Sequence, residues 1–129
     1  MSIDNARFAK IHEHIQAEDG FAMHTWEYGG FCGTTRCVAG WAIYDEIGAA
    51  LYDGSNQVSV EVHHLADRLR VNDYMEDIGA ALLGLPDDLR SVFYTDEELA
   101  AEFVRRAAGG ATEDDLREWL EEEGNPLDF

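Results

Sequence analysis

Cys32 and Cys37 bracket the segment Gly33-Thr34-Thr35-Arg36, and an apolar, small-residue stretch beginning Val38-Ala39-Gly40-Trp41 follows at once. Two chemistries suit thiols so placed. Zinc takes four donors, and paired ligands usually have two to four residues between them. Cys32 and Cys37 sit at the edge of that spacing, so two more donors are needed, and His24, His63 and His64 are the histidines that could supply them. Nothing in their spacing selects a pair. A thiol redox centre is the other option. Cys37 would stand in the first turn of a helix, where the dipole lowers a thiol pKa, with Cys32 as the resolving thiol. The surrounding charge opposes this, because Arg36 is the only cation close by. The simpler reading makes both cysteines small apolar residues beside a turn, as free cysteines often are. Cys32, Gly33, Cys37, Gly40 and Trp41 are therefore expected to form a structural motif, without a cofactor or metal.

Other catalytic patterns are missing. The chain has no Gly-x-Ser-x-Gly, phosphate-binding loop or metalloprotease histidine pair. His12 and His14 are two apart on the first helix and so do not share a face, and the adjacent His63 and His64 diverge likewise. The expectation is a protein that is not an enzyme.

The run Cys32-Gly-Thr-Thr-Arg-Cys-Val-Ala-Gly-Trp41 resembles a family of small uncharacterised proteins encoded by bacteriophages, notably actinobacterial phages, and by some bacteria. The likeness extends upstream to Met23 and Trp26. It returns downstream in Ala81-Leu-Leu-Gly-Leu85 and Phe93, where the family tends to show Leu-Gly-Leu and then a phenylalanine. It covers roughly residues 20–95 and leaves the acidic region after Thr95 outside. The resemblance implies a phage source and supplies no catalytic residues.

The elements that must position these residues read mostly as helix. Ser2 is expected to cap a first helix carrying Phe8, Ile11 and Ile15 at helical spacing and ending before Gly20. Residues 21–34, rich in glycine and aromatics, read as a loop folded over the core. Thr34 or Thr35 is expected to cap a second helix. Val38, Trp41 and Ala42 lie on one side of it and Ile43, Ile47 and Leu51 on the other, the pattern of a buried central helix. Gly40 would allow close packing against that helix.

Asp53-Gly54-Ser55-Asn56 signals a turn. Val58, Val60 and Val62 alternate as a strand would, leaving room for one short strand or hairpin near 57–62, with helix taking over near Val60. Asn72 or Asp73 should start the next helix. Gly84 stops it, and Pro86 opens a short successor that buries Leu89, Val92 and Phe93. Thr95 to Glu98 reads as a capping box for a helix that ends at Gly109-Gly110. Thr112 caps the last helix, with Leu116, Trp119 and Leu120 as its apolar stripe. The expected fold is mainly α: residues 1–129 as a single domain of about five to six helices around the buried one.

Charge carries the functional expectation. The net charge is −18, and it is unevenly spread. Residues 1–64 hold 9 acidic and 3 basic side chains, a net −6, whereas residues 65–129 hold 18 and 6, a net −12. Nucleic acid and anionic membrane surfaces would be repelled, and basic protein surfaces attracted. Glu97, Glu98, Glu102 and the run Glu121-Glu122-Glu123 are the candidate partner-binding residues. Such an array on rigid helices could imitate a phosphate backbone and occupy the basic cleft of a host protein that itself binds nucleic acid. Acidity that serves solubility alone is the commoner explanation, and a zinc- or thiol-dependent module is the alternative from another class. No basic-then-apolar leader pattern and no spanning apolar run are visible, and two cysteines suit a reducing compartment, so a cytoplasmic protein is expected.

Overall fold

The computed structural model describes residues 3–17, 20, 21, 23, 27–30, 33–52 and 57–123. Among them are six α-helices, one 3₁₀ helix and a two-stranded antiparallel ladder, so the chain is mainly α. Helix α1 (Asn5–Gln16) is capped by Asp4, whose carboxylate accepts from the Arg7 N–H at 3.1 Å. The expected cap, Ser2, lies outside the described residues; Asp4 performs the role because its side chain reaches the orphan first-turn amide.

The ladder stands where a loop was expected. Strands β1 (Glu27–Gly30) and β2 (Gly33–Arg36) pair from Glu27↔Arg36 to Gly30↔Gly33. Thr34 and Thr35 are paired with Gly29 and Tyr28, so neither caps the second helix. That helix, α2 (Val38–Ile47), is capped by Cys37, whose sulfur accepts from the Gly40 N–H at 3.4 Å. Extended backbone was also expected near 57–62. It shrinks to one antiparallel bridge, Tyr52↔Val58, before Ser59 caps α3 (Val60–Leu69). Once Ser59 offers its hydroxyl to the Val62 N–H, the 3.6-residue periodicity of Val62, Leu65 and Ala66 prevails over the valine alternation. The expected turn at residues 53–56 lies outside the described residues.

Helix α4 (Met75–Leu83) starts after Tyr74 rather than at Asn72 or Asp73, because the Asn72 side chain instead accepts from the Tyr74 N–H in a turn before the helix. Gly84 ends it in the left-handed conformation, and the 3₁₀ helix (Asp87–Tyr94) follows Pro86. Asp96, not Thr95, caps α5 (Glu97–Ala108), accepting from the Leu99 N–H at 2.8 Å. The reciprocal capping box is one helix further on. At α6 (Glu113–Glu122), Thr112 and Asp115 accept from each other's backbone N–H.

Val38 to Ile43 of α2 are all buried, so α2 is the core helix that its composition implies. It packs on α4, where Ala39 faces Gly79 so closely that a Cβ on Gly79 would stand 2.7 Å from the Ala39 Cβ. The close approach is thus made by an unremarked glycine of the partner helix. On the other flank α1 runs antiparallel to α5, with Phe8 against Phe103 and the Asn5 amide donating to the carbonyls of Ala107 and Ala111. Phe103 also meets Trp119, which closes the core over α6.

Candidate functional site

Among the described residues, three places gather side chains able to do chemistry: the cysteine motif, the seam between α1 and α2, and the face shared by α5 and α6.

At the motif, Cys37 is 1% exposed. Burial pushes its thiol up to about 11 from the ordinary 9.0, and hydrogen bonds from backbone amides of α2 only partly oppose that. The expected lowering by the helix dipole is therefore reversed. Desolvation of a thiolate outweighs the dipole when the sulfur is sealed in the core. Arg36 gives no help, since its buried guanidinium lies 3.8 Å from the Tyr44 ring centroid and 4.8 Å from that of Trp41. Trp41 is held on its other functionality as well, its indole N–H donating to the Gly20 carbonyl at 3.2 Å. Gly40 is buried in the same helix, and Gly33 pairs with Gly30 at the end of the ladder.

Cys32 and His24, two of the imagined zinc donors, lie outside the described residues. His63 and His64 are exposed, and His63 Nδ1 is 2.9 Å from Asp73. Among the described residues no three His, Cys, Asp or Glu side chains converge as a metal set would. Cys37, Gly40 and Trp41 are all buried in the core.

The α1–α2 seam is polar. Arg7 pairs with Asp4 and, at 2.9 Å, with Glu46, which Arg68 of α3 also reaches at 2.7 Å. His14 stacks on Trp41, its centroid at 3.8 Å, and its Nε2 meets Asp45 Oδ1 at 2.7 Å. Sequence reasoning missed this pairing. Arg7, Lys10 and His14 follow one another at helical spacing, which signals a shared face, but the acidic partners Asp45 and Glu46 come from a distant segment. A groove of about 290 Å³ opens here, lined by Asp4, Arg7, Lys10, Asp45 and Glu46 among others. Its charges nearly cancel, so it favours neither sign of ligand. Asp45 Oδ2, which has no hydrogen-bond partner among the described residues, is sealed from solvent and cannot serve an incoming group.

The α5–α6 face distinguishes the six candidate glutamates. Glu97 accepts from the Met23 N–H at 3.1 Å and so helps hold the fold. Glu102 accepts from both Arg105 and Arg106 at 3.0 Å. The Arg105 hydrogen bond, aided by both positive charges, holds its carboxyl below the usual range. Its charge is locally matched. Asp88 and Asp114 are matched likewise by Arg117, with Arg117 and Asp88 joined at 2.7 Å. Glu98, Glu121, Glu122 and Glu123 are exposed, and with Glu118 they have no ion-pair partner among the described residues. The arginines of the C-terminal half thus neutralise one part of the acidic surface and leave this edge open.

Between the two helices runs a groove of about 390 Å³ whose lining includes Asp96, Glu98, Leu99, Glu102, Trp119 and Glu123. Arg106 lies in it with its guanidinium 4.6 Å from the Trp119 ring centroid.

No family model, no curated protein and no solved structure matches the chain. No helix among the described residues is long and apolar enough to cross a membrane.

Proposed function

We propose that the chain is a small acidic accessory protein of bacteriophage type that acts in the host cytoplasm by binding a basic surface on a host protein. The observation that carries this reading is a set of exposed carboxylates with no ion-pair partner among the described residues: Glu98 on α5, which shares a groove with Glu123, and Glu118, Glu121 and Glu122 at the end of α6. Unpaired charges of one sign on rigid helices project a field that exposed ion pairs would cancel. Such a field accelerates association with a complementary partner and rejects like-charged ones. A sharper form of the proposal has these carboxylates standing in for a phosphate backbone in the cleft of a nucleic-acid-binding protein. The burial and raised pKa of Cys37 weigh against a thiol-centred function.

The test is affinity capture from lysate of a bacterial host, comparing the native chain with a variant carrying Glu98→Lys, Glu121→Lys and Glu122→Lys. These side chains are exposed and have no bonding partner among the described residues, so the variant should fold. A basic protein retained by the native chain, lost by the variant and released by salt is expected. A partner held equally by both would overturn the reading.

A further inference from the structure

We infer that His14 is a proton-operated clasp between α1 and α2: its imidazolium form ties the two helices together, and loss of that proton near neutral pH loosens the tie. The clasp is independent of the proposed binding of a host protein. His14 Nε2 stands 2.7 Å from Asp45 Oδ1, and the two side chains are only 23% and 17% exposed. The imidazole also lies flat on Trp41, with centroids 3.8 Å apart and ring planes at 17°. Asp45 Oδ2 is sealed from solvent and has no hydrogen-bond partner among the described residues, so the carboxylate is satisfied there through His14. A desolvated carboxylate with so few partners gains more from a charged donor than from a neutral one. The indole face likewise attracts an imidazolium more than a neutral ring. Both contacts belong to the fold, so the folded chain holds this proton more tightly than the unfolded one.

Among the described residues, the other charged and titratable groups around the seam do not cancel this preference. Lys10, one turn back on α1, is exposed and screened by water, as is Glu13. Arg7 is engaged with Asp4 and Glu46, and Arg68 of α3 also holds Glu46. Arg36 of β2 opposes the imidazolium, but its charge is directed onto the rings of Tyr44 and Trp41, whereas Asp45 touches the imidazole itself. Tyr44 meets Trp41 edge-on. His12 stands about 160° around α1 from His14, and Phe8 and Asn5, through which α5 packs on α1, about 120° and 180° around it. Helix α4 meets α1 at the opposite end, where the Asp4 N–H donates to the Leu83 carbonyl. The net charge of −18 adds a background that favours protonation. A proton bound more tightly in the folded state stabilises it at lower pH, and that contribution is lost as pH rises through the titration of His14.

The experiment follows the imidazole resonances of the full chain by NMR, and its thermal unfolding, from about pH 5 to 9. His14 should titrate above the ordinary histidine value of about 6.5, with the Trp41 indole N–H moving at the same midpoint. From about pH 6 to 8 the melting temperature should fall by about 3 °C more in the native chain than in His14→Gln, whose amide can still bond Asp45 but takes no proton. His63→Gln, which removes the exposed contact to Asp73, should keep the native slope. Titration of His14 at or below the ordinary value, or equal slopes in the native and His14→Gln chains, would overturn the inference. If His14→Gln does not fold, the NMR titration of the native chain decides it.

Discussion

Cys37 caps α2 with a sulfur that the core keeps protonated, and this has a consequence for stability at alkaline pH. A thiol whose folded pKa is raised to about 11 favours the fold while protonated in both states. That contribution is complete below the unfolded value near 9 and is lost as pH climbs from about 9 to about 11. Tyr94 is raised as well, by partial burial and then by Glu76. The contribution of Cys37 is isolated by Cys37→Ser, since a hydroxyl can still accept from the Gly40 N–H and does not ionise. Near-native melting at pH 7, with a visibly flatter decline between pH 9 and 11, is expected. An identical alkaline decline in the variant would show that the sulfur is wetter than the structure has it. Trp41 is the other residue-scale anchor, packed between His14, Tyr44 and Arg36. Trp41→Ala should cost about 3–5 kcal/mol, as other buried aromatic truncations do, and an unchanged melting temperature would place α2 at the periphery.

Helices α2 and α4 touch through Ala39 and Gly79, and the contact decides the sign of a substitution that propensity alone would get wrong. Alanine is the better helix former by about 1 kcal/mol. Its methyl at position 79 would meet the Ala39 Cβ at 2.7 Å, a distance that forces two backbones apart. Gly79→Ala should therefore destabilise by about 1–2 kcal/mol net, since overpacking outweighs the propensity gain. Adding Ala39→Gly should recover part of the loss, and denaturant unfolding of the double-mutant cycle would measure the coupling. The end of α3 offers the opposite case. Arg70 occupies the left-handed region at φ 58 as the helix cap, where a Cβ is strained and glycine is not. Arg70→Gly should raise stability by about 0.5–1 kcal/mol. No gain in the unfolding midpoint would mean that the arginine side chain offsets its backbone strain.

Across the whole molecule, charge of one sign is organised rather than merely abundant. Among the described residues, arginines bind Asp4, Glu46, Asp77, Asp88, Glu102 and Asp114, while Glu98 and Glu121–Glu123 face solvent without an ion-pair partner. Association through those carboxylates should slow as salt rises, because the Debye length falls from about 10 Å at 0.1 M to about 3 Å at 1 M. Reversal of Glu98, Glu121 and Glu122 should slow it more than reversal of Glu13 on α1. Glu97 and Glu102 are unsuitable for that comparison, since reversing them breaks contacts to Met23, Arg105 and Arg106. Stopped-flow association rates insensitive to both salt and reversal would place the contact elsewhere on the molecule.

Helical content, the burial of α2, the stop at Gly84 and the cap at Thr112 were legible in the chain, because each depends on residues within one or two turns of one another. The same holds for the acidic excess after residue 64, which is a count. What tertiary structure decided were the contests between neighbouring candidates. Cys37 displaced Thr34 and Thr35 as a cap once those threonines were drawn into a ladder with Tyr28 and Gly29. Asp96 displaced Thr95 by the geometry of a single turn. Which glutamates stay open was likewise beyond reach from sequence: Glu97, Glu98 and Glu102 are chemically alike and nearly adjacent. Glu102 pairs with Arg105 and Arg106, three and four residues along its own helix, whereas only folding brings the distant Met23 amide to Glu97 and leaves Glu98 facing solvent. Local chemistry is written in short-range order; the state of a charge depends on partners that folding brings from elsewhere.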